Sequence, residues 1–193
     1  MSLLQEYLTE ASKTLEQLSE DPPEELERFV TSVLECWEEG GKVVSFGNGG
    51  SAADSLHFTA ELVARFDSEA IHQPAISLNT NQSTLTATAN DWSYEEVFAR
   101  QVRAQVTQDD VVLGISTSGN SANVIRGLEE AHDLGAETYG LTGRSDCELD
   151  HLPAVSISVP SSRTSHVQEA HIVCLHFVCS LIDKKINGKL DNI

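Results

Sequence analysis

The sequence predicts a single α/β domain, a parallel sheet flanked by helices and preceded by two helices with no strand between them. Three observations carry this expectation. Five short β-rich runs, at residues 43–46, 75–78, 111–115, 138–141 and 155–159, alternate with helical stretches, which is the pattern of βαβ units. Two of the runs lead into loops rich in glycine or serine that open onto helices. The 193 residues, 40% of them apolar, suit one core.

At the start of the chain, Leu4, Leu8, Ala11, Leu15 and Leu18 recur in alternating steps of four and three, a narrow seam suited to packing on another helix. After Pro22 and Pro23, Leu26, Phe29, Val30, Val33, Leu34 and Trp37 keep the helical period until Gly40 and Gly41 end it. Residues 1–40 thus read as a helical pair for oligomer packing, and 41–193 as the α/β core of the same domain. The pair holds eleven acids against Lys13 and Arg28, a solvated outer face. Ser93 and Glu96 have the spacing of a capping box that starts a helix running to about Gln105. The last helix, at roughly 165–183, carries Val167, Ile172, Val173, Leu175, Val178 and Leu181 and reads as buried on most sides.

Twelve Lys and Arg against 30 Asp and Glu give a net charge of −18, a field that repels phosphate backbones and disfavours nucleic acid as a partner. Any anionic ligand has to be held by backbone dipoles, neutral donors or a few local cations. Cys36, Cys147, Cys174 and Cys179 show no C-x-x-C spacing and are expected as buried, reduced thiols. The longest apolar stretch, 172–182, is interrupted by His176 and falls short of the ~20 residues that span a bilayer. Glu6 and Glu10 stand where a secretory leader needs basic charge and then an apolar run. The expected location is the cytoplasm, with no membrane partner.

The first strand runs into Gly47-Asn-Gly-Gly-Ser51, where glycines let the backbone approach a ligand and the following helix, at 56–65, aims unpaired N–H groups at it. It is neither a P-loop nor a G-x-G-x-x-G fingerprint in register, which argues against a nucleotide-binding domain. Asn48, Gly49, Gly50 and Ser51 are its candidate ligand contacts. The third strand runs into Ser116-Thr-Ser-Gly-Asn-Ser121, where Ser116, Thr117, Ser118 and Ser121 supply four neutral hydroxyls at a helix N-terminus. Such a turn is commonly a plain cap, but two such loops at carboxyl ends of parallel strands point to a ligand. On the helix after the first loop, His57, Glu61 and Arg65 are spaced by four and share one face.

The segments 46–54, 115–121 and 167–172 together resemble the sugar isomerase (SIS) domain family, in its branch that isomerises sedoheptulose 7-phosphate, and the resemblance covers almost the whole chain. It implies a five-stranded, three-layer, flavodoxin-like sandwich and a homotetramer with active sites at subunit interfaces. It also implies conversion of sedoheptulose 7-phosphate to glycero-manno-heptose 7-phosphate through an enediolate, supplying heptose for surface polysaccharide. Carried over residue by residue, His57, Glu61, Gln168 and His176 become ligands of one zinc ion per subunit. Glu61 becomes the base that moves a proton between C1 and C2, and His176 the acid–base partner at oxygen. Asn90 and Asp91, Arg65 and Gln168 join the substrate contacts, and Glu169 and His171 flank the last motif. The remaining histidines, His72, His132, His151 and His166, default to surface or capping roles.

Three features stand apart from that pattern. Gln168 and His176, eight residues apart, are ~12 Å apart along a straight helix. Either the helix bends, or neighbouring subunits share the site, or one residue serves the substrate alone. The family often has Thr-Thr-Asp-Thr-Ser where this chain has Asn79-Thr-Asn-Gln-Ser83, and Ser165 stands where some members carry Asp. An alternative within the same fold is a non-catalytic protein that binds a sugar phosphate or associates with a replication initiator.

Overall fold

Five strands, β1 (Val43–Gly47), β2 (Ala75–Ser77), β3 (Val111–Ser116), β4 (Glu137–Thr142) and β5 (Val155–Ser158), form one sheet in the order β2-β1-β3-β4-β5, with every neighbouring pair parallel. This is a computed structural model, described over residues 1–68, 72–143 and 146–190. The helices are α1 (Leu3–Glu20), α2 (Glu25–Glu38), α3 (Gly50–Val63), α4 (Gln82–Asp91), α5 (Ala99–Gln105), α6 (Ala122–Asp133) and α7 (Thr164–Ile186). The expected α/β sandwich with a leading helical pair is what the chain forms.

Strands β1 and β3 are buried at every residue, because helices cover both faces of the sheet. Alternate side chains divide between two cores. Val43, Leu113 and Tyr139 pack with Phe29, Phe58, Leu62 and Val178 from α2, α3 and α7. Val44, Phe46 and Val112 pack with Val102, Val124 and Leu128 from α5 and α6. Neighbours β1 and β3 are in register, Gly47 opposite Ile115, yet their connections lead to opposite sides of the sheet. Their carboxyl ends therefore flank a topological switch point, where open α/β sheets bind ligands.

Several boundaries differ from the sequence expectation, each for a local reason. Helix α3 starts at Gly50, so the glycines and Ser51 lie in or beside its first turn. It stops at Val63, where the Leu62 carbonyl accepts the Gln73 N–H of the returning chain in place of continuing the helix. Arg65 consequently falls beyond the helix, is exposed, and does not extend the His57–Glu61 face. Ser93 makes no side-chain cap, and the segment after it is a 3₁₀ turn, Tyr94–Glu96, followed by the separate α5. Sinking Val97 and Phe98 into the core, with Phe98 stacked on Phe46 at 4.8 Å, replaces the continuous helix. Asn90 and Asp91 are the last two residues of α4.

Helix α1 buries Thr14 and Leu18 and is tied to α7 by Tyr7, whose hydroxyl donates to Glu169 Oε1 at 2.5 Å. Its leucine seam is split: Leu18 is buried, whereas Leu4 is 67% and Leu8 53% exposed. All four cysteines are free and buried, and burial pushes the thiols of Cys36 and Cys174 up to about 11. Among the described residues no helix is long and apolar enough to cross a membrane.

Candidate active site

Both switch-point loops end on a helix that lacks a side-chain cap. Gly49, at φ +55°, precedes α3, and the Ser121 side chain makes no bond to the backbone of α6, although the Ser121 carbonyl accepts the N–H groups of Val124 and Ile125. Their leading N–H groups are therefore left for a ligand. Ser116 Oγ lies 2.9 Å from Ser121 Oγ and 3.5 Å from Ser118 Oγ, which gathers three hydroxyls at the mouth of α6. Gly119 at φ +66° permits this turn, and a Cβ there would stand 2.1 Å from Cys147 Sγ. Thr117 is half-buried, its carbonyl accepting the Gly143 N–H.

The first loop is held from two sides. Asn79 Oδ1 accepts the Gly47 N–H at 3.2 Å while its Nδ2 donates to the Gly47 carbonyl at 2.9 Å. The amide thus continues the β1–β2 ladder one step beyond β2. On the other side, Asn48 and Asn123 exchange two amide hydrogen bonds. In the sequence, the segment 79–83 stands out only for its departure from the family's Thr-Thr-Asp-Thr-Ser, whose acid falls at Asn81, and Asn123 does not stand out at all. An amide can act as a peptide surrogate, but nothing in a single sequence says which amide does so.

Helices α3 and α7 lie against one another and bring distant residues together. His57 Nε2 and His176 Nε2 are 2.9 Å apart, with Glu61 Oε1 3.5 Å from His57 Nε2. The two rings meet edge-on at 74°, and Phe66 packs beside His176. Gln168 sits at the other end of this contact: its Nε2 donates to Asp54 Oδ1 at 2.6 Å, and its stem lies against Gly50. Helix α7 is continuous through both residues. Asp54 is buried, its Oδ2 lacks a partner, and burial pushes its carboxyl up to about 6 against the pull of the Gln168 hydrogen bond. A carboxylate only accepts, so Gln168 turns its NH₂ toward Asp54 and leaves its carbonyl oxygen for another donor or an ion.

The donors at the His57 end fit a zinc ion in chemical type. Two nitrogens each ~2.0–2.1 Å from one ion and 2.9 Å from each other subtend about 90° at it. Glu61 supplies a third donor beside them. Among the described residues, however, no three His, Cys, Asp or Glu side chains are closed around a common point.

The flanking residues divide. Glu169 is held below the usual carboxylate range by the Tyr7 hydroxyl and His166. His166 is no surface residue: it is buried between α1 and α7, with Tyr7 4.8 Å from its ring. His171 is fully buried and donates through Nε2 to the Thr142 carbonyl at 2.9 Å. Burial pushes it down to about 4, so it is neutral. Asn90 and Asp91 are exposed and hydrogen-bonded to each other. The link from that region to the loops is Tyr94, whose hydroxyl donates to Asn48 Oδ1 at 2.9 Å.

Together, the switch-point loops and the α3–α7 cluster define a catalytic α/β domain of the sugar isomerase class. The SIS domain model matches residues 6–143. Phosphoheptose isomerases of Aliarcobacter butzleri and Helicobacter pylori are 42% and 44% identical, covering 96% and 97% of this chain and 98% and 97% of theirs. The solved phosphoheptose isomerase of Neisseria gonorrhoeae superposes with a TM-score of 0.87 at 36% identity, over 93% of this chain and 97% of that one. The chain belongs to the SIS domain family, among its phosphoheptose isomerases.

Proposed function

We propose that the chain isomerises sedoheptulose 7-phosphate to D-glycero-D-manno-heptose 7-phosphate, the first step toward activated heptose for surface polysaccharide. The observation that carries this reading is the meeting of His57, His176 and Glu61 one helical turn beyond Asp54, next to the loop at the start of α3. An aldose–ketose shift needs a base at carbon, an acid–base group at oxygen and stabilisation of the enediolate between them. Glu61 takes the proton from C1 of the ketose and returns it to C2. His176 gives a proton to O2 and recovers one from O1. Ser116, Ser118, Ser121, Thr117 and the N-termini of α3 and α6 grip the phosphate with neutral donors, which suits a chain of net charge −18.

One zinc ion per subunit, held by His57, His176 and Glu61, would polarise the substrate oxygens as a Lewis acid. Gln168, eight residues from His176 on the continuous α7 and bonded to Asp54, joins it only across a subunit interface or contacts the substrate instead. Exposed apolar side chains support a homotetramer with the sites at its interfaces. Leu4 and Leu8 face out of α1, and Leu56, Val173 and Phe177 face out of the two helices that carry the histidines. A phosphorylated substrate and four free thiols support a cytoplasmic setting.

The test is incubation of the metal-loaded protein with sedoheptulose 7-phosphate, with the aldose product followed by chromatography. Glu61→Gln and His176→Gln are each expected to cut kcat by 10²–10⁴-fold. Full activity in both variants would remove the assignment. Binding without turnover in the wild type would favour the non-catalytic alternative.

A further inference from the structure

We infer that Asn123 and Tyr94 are positioning residues that orient the Asn48 carboxamide, so that it offers one N–H, and not its oxygen, to the ligand between the two loops. The inference rests on the phosphoheptose isomerase reading of that site and adds two residues to its machinery.

An asparagine amide has two N–H donors and two acceptor lone pairs. Asn48 Oδ1 receives Asn123 Nδ2 at 2.9 Å and the Tyr94 hydroxyl at 2.9 Å, which fills its acceptor capacity. One Asn48 N–H goes to Asn123 Oδ1 at 2.8 Å. A single N–H is left over. Asn123, second residue of α6, is buried and belongs to the serine loop's helix, whereas Asn48 belongs to the glycine loop. Their paired bonds therefore also fix the spacing between the two loops.

Inverting both amides together would preserve the reciprocal pair, so the pair alone does not choose a direction. Tyr94 chooses it. A phenol donates strongly and accepts weakly, so its proton is best placed on a carbonyl oxygen, which makes that side of Asn48 the oxygen. Tyr94 is itself 59% exposed, and its place on the 3₁₀ turn after α4 ties that segment to the glycine loop. The consequence is selectivity by hydrogen-bond sense: the free N–H suits a phosphate, carbonyl or enediolate oxygen and gives a cation nothing to bind.

The experiment compares wild type, Tyr94→Phe, Asn123→Ala and Asn123→Asp as intact oligomers, by steady-state kinetics and by calorimetric titration with sedoheptulose 7-phosphate. Tyr94→Phe, at an exposed position, is expected to raise KM about 2–5-fold, and Asn123→Ala about 10-fold or more, with kcat changed less than about threefold in each. Asn123→Asp carries the discriminating signature. Its carboxylate accepts from Asn48 but cannot donate, so KM is raised at pH 8. Once protonated it re-forms the two-bond pair, so the KM ratio to wild type falls toward one as pH is lowered toward 5. Unchanged KM in Tyr94→Phe together with a pH-independent ratio in Asn123→Asp would overturn the inference, even if Asn123→Ala fails to fold. If the wild type binds the sugar phosphate without turnover, the isomerase reading fails and the dissociation constants of the same variants decide the inference. If the wild type does not bind it, both fall.

Discussion

His57 and His176, 119 positions apart in the chain, meet Nε2 to Nε2 at 2.9 Å on adjoining helices. Two imidazoles can share one proton at this distance, and the zinc ion proposed above, bound by both, would replace that proton. His57→Ala is therefore expected to lower zinc bound per subunit about tenfold or more, measured by elemental analysis after dialysis. The His57 side chain is 44% exposed, so the thermal midpoint should move by only a few degrees. Removing zinc with a chelator should abolish turnover, and adding it back should restore it. Stoichiometric zinc retained by the variant would exclude His57 as a ligand.

The His57–Glu61 half of this arrangement was legible from short-range signals, whereas the part of His176 came only from the resemblance to the SIS family. Helical spacing put His57 and Glu61 on one face, and the composition of the loops marked both helix N-termini. Long-range and side-chain-to-backbone pairings were not legible. Asn79 acting as a strand surrogate, Asn123 answering Asn48, and Gln168 turning to Asp54 depend on distances across the fold that no periodicity encodes. The missed end of α3 has the same origin: Gln73 takes the Leu62 carbonyl, so Arg65 lost the helical face that its spacing implied. The buried His166 was missed because its partners, Tyr7 and Glu10, lie on α1.

Asn79 both donates to and accepts from the Gly47 peptide, which a carboxylate cannot do. Asn79→Asp keeps the bond from the Gly47 N–H and sets an anion against the Gly47 carbonyl. A loss of about 1–3 kcal/mol is expected in urea unfolding, with a raised KM because the glycine loop is no longer braced. Stability equal to wild type would show that the surrogate pairing contributes nothing.

Leu4 and Leu8 present an apolar stripe on α1 that the single chain leaves in water. Leu8→Glu adds a charge to that stripe and touches none of the residues at the α3–α7 cluster. Light scattering should show the assembly shifted toward smaller species at micromolar concentration, with far-UV circular dichroism unchanged. If the Leu8→Glu protein keeps the wild-type mass, the stripe is not an assembly surface.

His171 gives a pH dependence whose sign is fixed by its surroundings. Its Nε2–H donates to the Thr142 carbonyl, its Nδ1 is buried without a partner, and burial depresses its pKa from 6.5 to about 4. A proton added at Nδ1 would be a buried charge facing no acceptor. The unfolded chain binds that proton more readily, so the contribution is complete above about pH 6.5 and is lost as pH falls toward 4. Its full size is as much as ~3 kcal/mol. His171→Gln keeps an N–H for Thr142 and removes the titration. Urea unfolding of both proteins at pH 7.5, 6, 5 and 4.5 should show wild type losing stability faster than the variant, because carboxylates that titrate in both cancel in the comparison. Parallel curves would show that the folded protein takes up the His171 proton as readily as the unfolded chain, and would remove this residue as a source of acid sensitivity.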